Sequence, residues 1–350
     1  MELPNTLAEF ARLAEERLDP GAYGYFAGGA ADELTLRASE EAWRRITIRP
    51  RVLVDVSERD PSTTVLGILR RHPLIVAPMA FHRLVHGDAE PETARGAADA
   101  TAPFCLSTLA TTSPVELAKA VPEAPRWLQL YVFRDRSMTS RLLEAATDHG
   151  YEAIVLTVDL PVQGRRERDL RAAFRIDASV PSVGGHTGMS LPEMVKQFDP
   201  SLTWEDLERL VDESPLPVLV KGILTPEDAR RAAASGAAGV VVSNHGGRQL
   251  DTVRATADAL PHVVDEIGGE LDVLVDGGVR RGTDVLKALA LGARAVMVGR
   301  PVIWGLAVAG ADGVRRVLEI LLAELDIALA LAGTPAASAL DATSVERPYG

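Results

Sequence analysis

The chain has 350 residues, 47% of them apolar, and a formal net charge of −12. That is enough apolar sequence for a large core, and the acidic balance argues against nucleic acid and against an anionic membrane surface. A single cysteine, Cys105, excludes a disulfide framework and points to a reducing compartment, read as the cytoplasm.

The opening stretch, MELPNTLAEFARLAEE, is acidic and amphipathic and lacks the basic start and apolar run of a signal peptide. No uninterrupted apolar run reaches membrane-spanning length, and the richest, Val317 to Ala332, is broken by Glu319, Glu324 and Asp326. Residues 1–45 read as helices, with Leu7, Phe10, Ala11 and Ala14 at helical spacing. The segment GAYGYFAGGA (Gly21 to Ala30) breaks that pattern. It reads either as a helix-to-helix turn plugged by aromatics or as the carrier of a tyrosine hydroxyl, from Tyr23 or Tyr25, into a pocket.

From Pro73 a rhythm of short apolar runs begins. LIVAP, PFCLST, WLQLY and AIVLTVD are followed by PVLVKG, GVVVSN, VLVDGG and AVMVGR. Amphipathic helices with readable ends lie between most of them. Ser113, Pro114 and Glu116 supply an N-cap, a first-turn proline and a capping-box acid, and Thr225, Pro226 and Asp228 repeat the pattern. Gly236 and Gly292 stand where helices should stop. Eight strand–helix units predict a closed parallel (β/α)8 TIM barrel over 73–332, in a single domain of 1–350 with an N-terminal helical extension. A doubly wound open sheet is the alternative, but it calls for a G-x-G-x-x-G turn after an early strand, and the sequence has none. The connection after the fourth strand is long, Leu160 to Leu216. It begins with Arg165, Arg166, Arg168, Arg171 and Arg175 and becomes loop-like over Ala178 to Ser190, before a helix near Thr203 to Val211. Residues 160–202 read as an active-site lid.

Barrel chemistry gathers at the C-terminal strand ends. Those ends carry Ala80 and Phe81, then Ser107 and Thr108, Gln129 and Tyr131, Thr157 and Asp159, and Lys221. The last three carry Ser243, His245 and Arg248, then Asp276-Gly277-Gly278, then Gly299 and Arg300. In GVVVSNHGGRQLD an imidazole and a guanidinium stand three residues apart on a glycine-hinged loop, which suits a general base beside an anion clamp. Asp159 comes from another strand at the same rim, and a carboxylate there would fix the tautomer of His245. DGGVRRG and VGR, with Gly278, Arg280, Gly299 and Arg300, predict a phosphate site on a cofactor or a substrate. His82 and His86 are four apart, but with no third ligand nearby no metal site is expected. Cys105 lies inside an apolar strand and reads as core packing.

Taken together, SNHGGRQLD, LTVDLPVQGRRERD, LVKGI and DGGVRRGTDVLKALALGA make the chain resemble the FMN-dependent L-2-hydroxy-acid oxidase and dehydrogenase family, over about residues 5 to 340. The resemblance implies an FMN cofactor and a catalytic set of His245 as base, Asp159, Tyr131, Arg248 and Lys221. It implies that Arg248 and Arg166 hold the substrate carboxylate with help from Tyr25, and that Tyr131 lies near the substrate oxygen. Lys221 would stand by flavin N1 and O2. Ala80, Ser107, Gln129, Thr157 and Ser243 would hold the ring. Asp276, Gly278, Arg280, Gly299 and Arg300 would hold the ribityl phosphate end. Both a hydride route and a carbanion route need a base at His245. Where glycolate oxidases carry a tryptophan in the substrate pocket, this chain has Leu109, which implies a substrate larger than glycolate. The implied partners are a small 2-hydroxy acid and oxygen, or alternatively a quinone or carrier protein as electron acceptor, with no nucleic acid, no membrane and a homotetramer or octamer. A flavin isomerase and a non-catalytic phosphate-binding barrel are the competing classes. Neither needs the His245, Arg248 and Arg166 set.

Overall fold

The computed structural model describes residues 2–172, 174–184 and 189–347. Eight short strands close a parallel barrel: β1 Leu74–Val76, β2 Phe104–Leu106, β3 Arg126–Leu130, β4 Ile154–Thr157, β5 Val218–Ile223, β6 Gly239–Val242, β7 Asp272–Val275 and β8 Ala295–Val298. Each pairs in register with its sequence neighbours, and β8 closes onto β1 through Val296 opposite Leu74. All eight coincide with the apolar runs, as expected for strands buried on both faces.

Side-chain alternation divides the strands into two sets. Leu106, Leu128, Leu156, Val220 and Val242 belong to the large outer core beneath the helices. Ile75, Cys105, Trp127, Val155, Leu219, Val241, Leu274 and Met297 fill the barrel interior. Cys105 is therefore core packing, and burial pushes its thiol far up, away from thiolate chemistry. Two residues further along seven of the eight inward rows stand Ser107, Gln129, Thr157, Lys221, Ser243, Asp276 and Gly299. The polar site is thus the next layer above an apolar plug. A β-bulge between Lys221 and Ile223 sits where β5 begins to carry chemistry.

The N-terminal extension forms α1 (Leu7–Arg17), α2 (Pro20–Ala27) and α3 (Leu34–Arg45). The expectation that GAYGYFAGGA breaks the helical pattern is corrected here, since most of it is α2. Asp19 accepts from Gly21 N at 2.8 Å and Ala22 N at 3.3 Å, and Pro20 stands in the first turn. That cap and the pre-set proline dihedral outweigh the glycine penalty. The next helices are α4 (Ala89–Asp99), α5 (Pro114–Ala120), α6 (Arg136–Asp148), α7 (Glu167–Arg171), α8 (Leu191–Val195) and α9 (Trp204–Glu213). The last four are α10 (Pro226–Ala234), α11 (Thr256–Ile267), α12 (Gly282–Ala290) and α13 (Arg300–Ala332). The capping box at Ser113 and the Thr225 cap form as their spacing predicts.

The 160–202 connection is less loop-like than its composition. It contains α7, the turn Pro181–Val183 and α8, and buries Ile176, Val180, Val183 and Met194. Within the expected loop 178–190, residues 185–188 lie outside the described residues. No helix of the described residues is long and apolar enough to cross a membrane.

Candidate active site

A cleft with about 1070 Å³ of empty space, its open mouth included, sits over the C-terminal end of the barrel. Every strand end contributes to its wall, from Ala77 through Ala80 after β1 to Val298, Gly299 and Arg300 at β8. Tyr25, Phe26, Arg166 and Leu191 close it from above.

His245 follows β6 with φ 57°, a left-handed conformation that non-glycine residues seldom adopt and that recurs at functional sites. Its Nδ1 lies 2.8 Å from Asp159 Oδ1, so the pairing expected from two separate strand ends is present. Burial lowers the pKa of His245, Asp159 only partly offsets this, and the imidazole is neutral at pH 7. For Asp159 burial acts upward, but the His245 contact prevails and the carboxyl stays ionised. A neutral ring whose far nitrogen is oriented by a carboxylate is a competent general base. The close approach depends on Gly222, where a Cβ would lie 2.7 Å from that of Asp159.

Arg248 reaches across to α2. One of its amino groups donates to the carbonyls of Tyr25 and Gly28, and its guanidinium lies 4.6 Å from the centroid of the Tyr25 ring. Phe174 stacks on that ring at 5.1 Å. This decides between the two tyrosines of the segment: Tyr25 lines the cleft, and Tyr23 packs on Trp304. Arg166 donates to Arg248 O at 3.1 Å and Gln249 Oε1 at 3.1 Å, and its other amino group has no hydrogen bond among the described residues, with Asp169 4.0 Å away. Burial, reinforced by the Arg248 charge, pulls Arg166 down to about 10. Of the five arginines that open the long connection, only Arg166 lines the cleft; Arg168 and Arg171 pair with Glu33 and Glu167.

Deeper in, Lys221 Nζ is 2.8 Å from Ser243 Oγ and 3.0 Å from Asp276 Oδ2. Burial alone would lower its pKa, but Asp276 and Asp159 more than offset this, and the ammonium persists. Ser243 does not line the cleft. Its hydroxyl accepts from Lys221 and from His245 N at 3.1 Å, so it supports two cleft residues. Tyr131 lines the cleft, and burial then Asp159 raise its hydroxyl, which stays protonated. Leu109 is in the same wall.

On the opposite side Gly278 approaches α3 so closely that a Cβ would overlap the Ser39 carbonyl oxygen, and φ is 78° there. Trp43 Nε1 donates to Gly277 O at 2.8 Å and Asn244 Nδ2 to Ser39 Oγ at 3.0 Å, which clamps both glycine loops to α3. Arg280 pairs with Glu40 at 2.8 Å. Among the described residues Arg300 donates to carbonyls alone, those of Phe26, Gly28 and Gly246. Burial, then the Arg248 and Arg280 charges, push Arg300 well below the usual range. The half-buried guanidiniums of Arg280 and Arg300, beside the N-terminus of α13, give this end of the cleft a positive lining of the kind that suits an anion.

The donor set fits FMN. Gln129 Oε1 takes Thr108 N at 3.0 Å and Ser107 Oγ at 3.3 Å, which leaves Nε2 as the buried donor without a partner among the described residues. Thr157 Oγ1 and Asp276 Oδ1 are likewise buried and unpartnered among the described residues. Such atoms require partners, and they ring the same cleft as Lys221 and the Ala80 backbone. By contrast, the described residues contain no group of three or more metal-ligating side chains. His82 is buried against Thr93 at 2.9 Å, whereas His86 accepts from Asp88 N at 3.2 Å.

Residues that the sequence reading left without a role also build the site. Gln249 Nε2 ties the strand-six loop to Asp159 O and Val162 O, both at 3.1 Å. Its place in the polar run after GVVV was a visible signal. Leu160, Phe174 and Leu191 gave none, because apolar residues in a long connection look alike until they are placed.

The family model of FMN-dependent dehydrogenases matches residues 14–347. An L-lactate oxidase from Nostoc sp. is 46% identical over 94% of this chain and 94% of its own length. A peroxisomal (S)-2-hydroxy-acid oxidase from Oryza sativa subsp. japonica is 48% identical over 95% of this chain and 93% of its own. A mandelate oxidase solved with (S)-4-hydroxymandelic acid superposes with a TM-score of 0.91 at 41% identity, covering 98% of each chain. With the barrel, the polar ring above its core and these matches in agreement, the chain belongs to the FMN-dependent dehydrogenase family.

Proposed function

We propose that this protein oxidises an L-2-hydroxy acid to the 2-oxo acid with FMN, oxygen being the terminal acceptor and hydrogen peroxide the second product. One observation carries the reading: a neutral His245 oriented by Asp159 faces the same cleft as the guanidiniums of Arg166 and Arg248. Relatives named as lactate, 2-hydroxy-acid and mandelate oxidases support it. The whole of 1–350 acts as one FMN-binding unit, with the 1–45 helices and the 160–202 connection as walls of its cleft.

Arg166 and Arg248 clamp the substrate carboxylate, and the Tyr25 hydroxyl adds a third contact. The clamp presents the 2-hydroxyl to His245, which removes its proton while Asp159 stabilises the resulting imidazolium. Tyr131, held protonated, donates to the substrate oxygen. FMN supplies the two-electron acceptor for the carbon–hydrogen bond when bound. Gln129, Thr157, Ser107 and the Ala80 backbone hold its ring, and Lys221 places a positive charge where the ring gains electron density. Asp276, a carboxylate, accepts from ribityl hydroxyls, and Gly278, Arg280, Gly299, Arg300 and the α13 N-terminus take the phosphate.

The lone buried Cys105 and acidic composition support a cytoplasmic setting. Val52, Leu53 and Val54 are exposed beside the end of α13, where Ile327 and Leu331 are exposed too, and this corner supports a homotetramer or octamer. Sedimentation of wild type and Leu53→Ser tests it; a monomeric wild type overturns it. The central test mixes the flavin-loaded protein with L-2-hydroxy acids under nitrogen. Bleaching of the flavin absorbance, then recovery with stoichiometric peroxide on admitting air, is the expected outcome. No bleaching with any acid sinks the reading, and bleaching that air does not reverse sinks its oxygen arm.

A further inference from the structure

Beside the cleft lies a second cavity, of about 1360 Å³ on the same open-mouthed measure and therefore the larger of the two. It sits between the outer face of β4 and β5 and helix α9. Its walls are Leu156 and Val220 from the strands, Leu207 and Leu210 from α9, and the rings of Phe198 and Trp204. Close packing leaves few such spaces in a protein interior, and apolar walls give water few partners.

Only one layer of side chains separates it from the cleft. Tyr131, Thr157 and Leu160 line both spaces. Tyr131 stacks on Phe198 at 4.6 Å, so an aromatic surface runs from one to the other. The rim carries Asp199 and Asp206, with Arg136 2.6 Å from the first and 3.7 Å from the second. Such a rim disfavours a second carboxylate on the ligand.

We propose that this cavity is a tail chamber: it receives the aliphatic or aryl end of a long monocarboxylic 2-hydroxy acid whose carboxylate is held at Arg166 and Arg248, the tail passing between Tyr131 and Leu160. This rests on the functional reading above. It locates the specificity in the space behind β4 and α9, in addition to the wall at Leu109. Each methylene that reaches an apolar pocket is worth on the order of tenfold in kcat/KM.

The test compares (S)-lactate, (S)-2-hydroxyoctanoate and L-malate on the flavin-loaded wild type and on Leu207→Trp, which fills the chamber without touching the cleft. (S)-2-Hydroxyoctanoate is expected to exceed (S)-lactate by at least about tenfold in kcat/KM, with L-malate poorest. Leu207→Trp should remove that advantage and leave lactate unchanged. Should Leu207→Trp not fold, Leu210→Phe takes its place, and quenching of Trp204 emission by 2-oxooctanoate but not by pyruvate, absent in Trp204→Phe, reports entry directly. If (S)-2-hydroxyoctanoate and (S)-lactate are turned over equally, or the filled variant keeps the full chain-length preference, the tail chamber is overturned while the oxidase reading stands. If no 2-hydroxy acid bleaches the flavin, the functional reading itself has failed.

Discussion

The two halves of the cleft are built differently. On the β6–β8 side the loops after β6 and β7 are tied to α3: Gly277 by Trp43, Asn244 by Ser39, and the start of α3 by Asp251, which accepts from Thr35 N at 2.7 Å. On the β3–β5 side buried polar atoms of Gln129, Thr157, Asp159 and Gln163 have no partner among the described residues, and a large cavity lies behind Leu160. A constant ligand repays a rigid cradle braced from outside, whereas a variable substrate needs a wall that can be reshaped without disturbing it. Helix α3 therefore braces the loops proposed to hold the cofactor although it lies outside the barrel.

The largest expected effect falls where the two halves meet, at the His245–Asp159 pair that joins the β6 loop to the end of β4. His245→Gln should cut turnover by about 10³-fold while FMN stays bound, measured as the anaerobic rate of flavin bleaching; loss of flavin instead would break the division between the halves. Asp159→Asn should lower the same rate by about 10²-fold. It also sharpens the pH argument. Burial holds His245 below its ordinary pKa, so kcat/KM should fall as pH drops through a value under 6.5. Asp159 raises that pKa, so its removal should move the acid limb to still lower pH, and an upward move would contradict the pairing.

On the cradle side Gly278→Ala forces a side chain onto the Ser39 carbonyl at φ 78°. The cost should be on the order of 1–3 kcal/mol, read as a lower unfolding midpoint and weaker FMN retention on gel filtration. Unchanged values for both would show the cradle to be softer than argued. The smallest effect is the most selective: Leu109→Trp should reduce kcat/KM for aryl or long-chain acids by about tenfold relative to lactate. A uniform loss across substrates would place Leu109 outside the specificity wall.

What could be read from the residue order follows from the range of the forces involved. Strand runs, the Ser113 and Thr225 caps and the glycine stops are local, and they specify eight barrel units without reference to any long-range contact. The period-two alternation then put Ser107, Gln129, Thr157, Lys221 and Asp276 in one layer, because residues two apart share a face. The α2 helix was missed because a single aspartate cap and a proline overruled the glycines around it. Only tertiary structure could choose Tyr25 over Tyr23, send Ser243 behind Lys221, pair Arg280 with Glu40 and open a chamber behind Leu160. Each of those outcomes depends on which side chains from distant segments meet, and burial and charge pairing act only once the chain has brought them together.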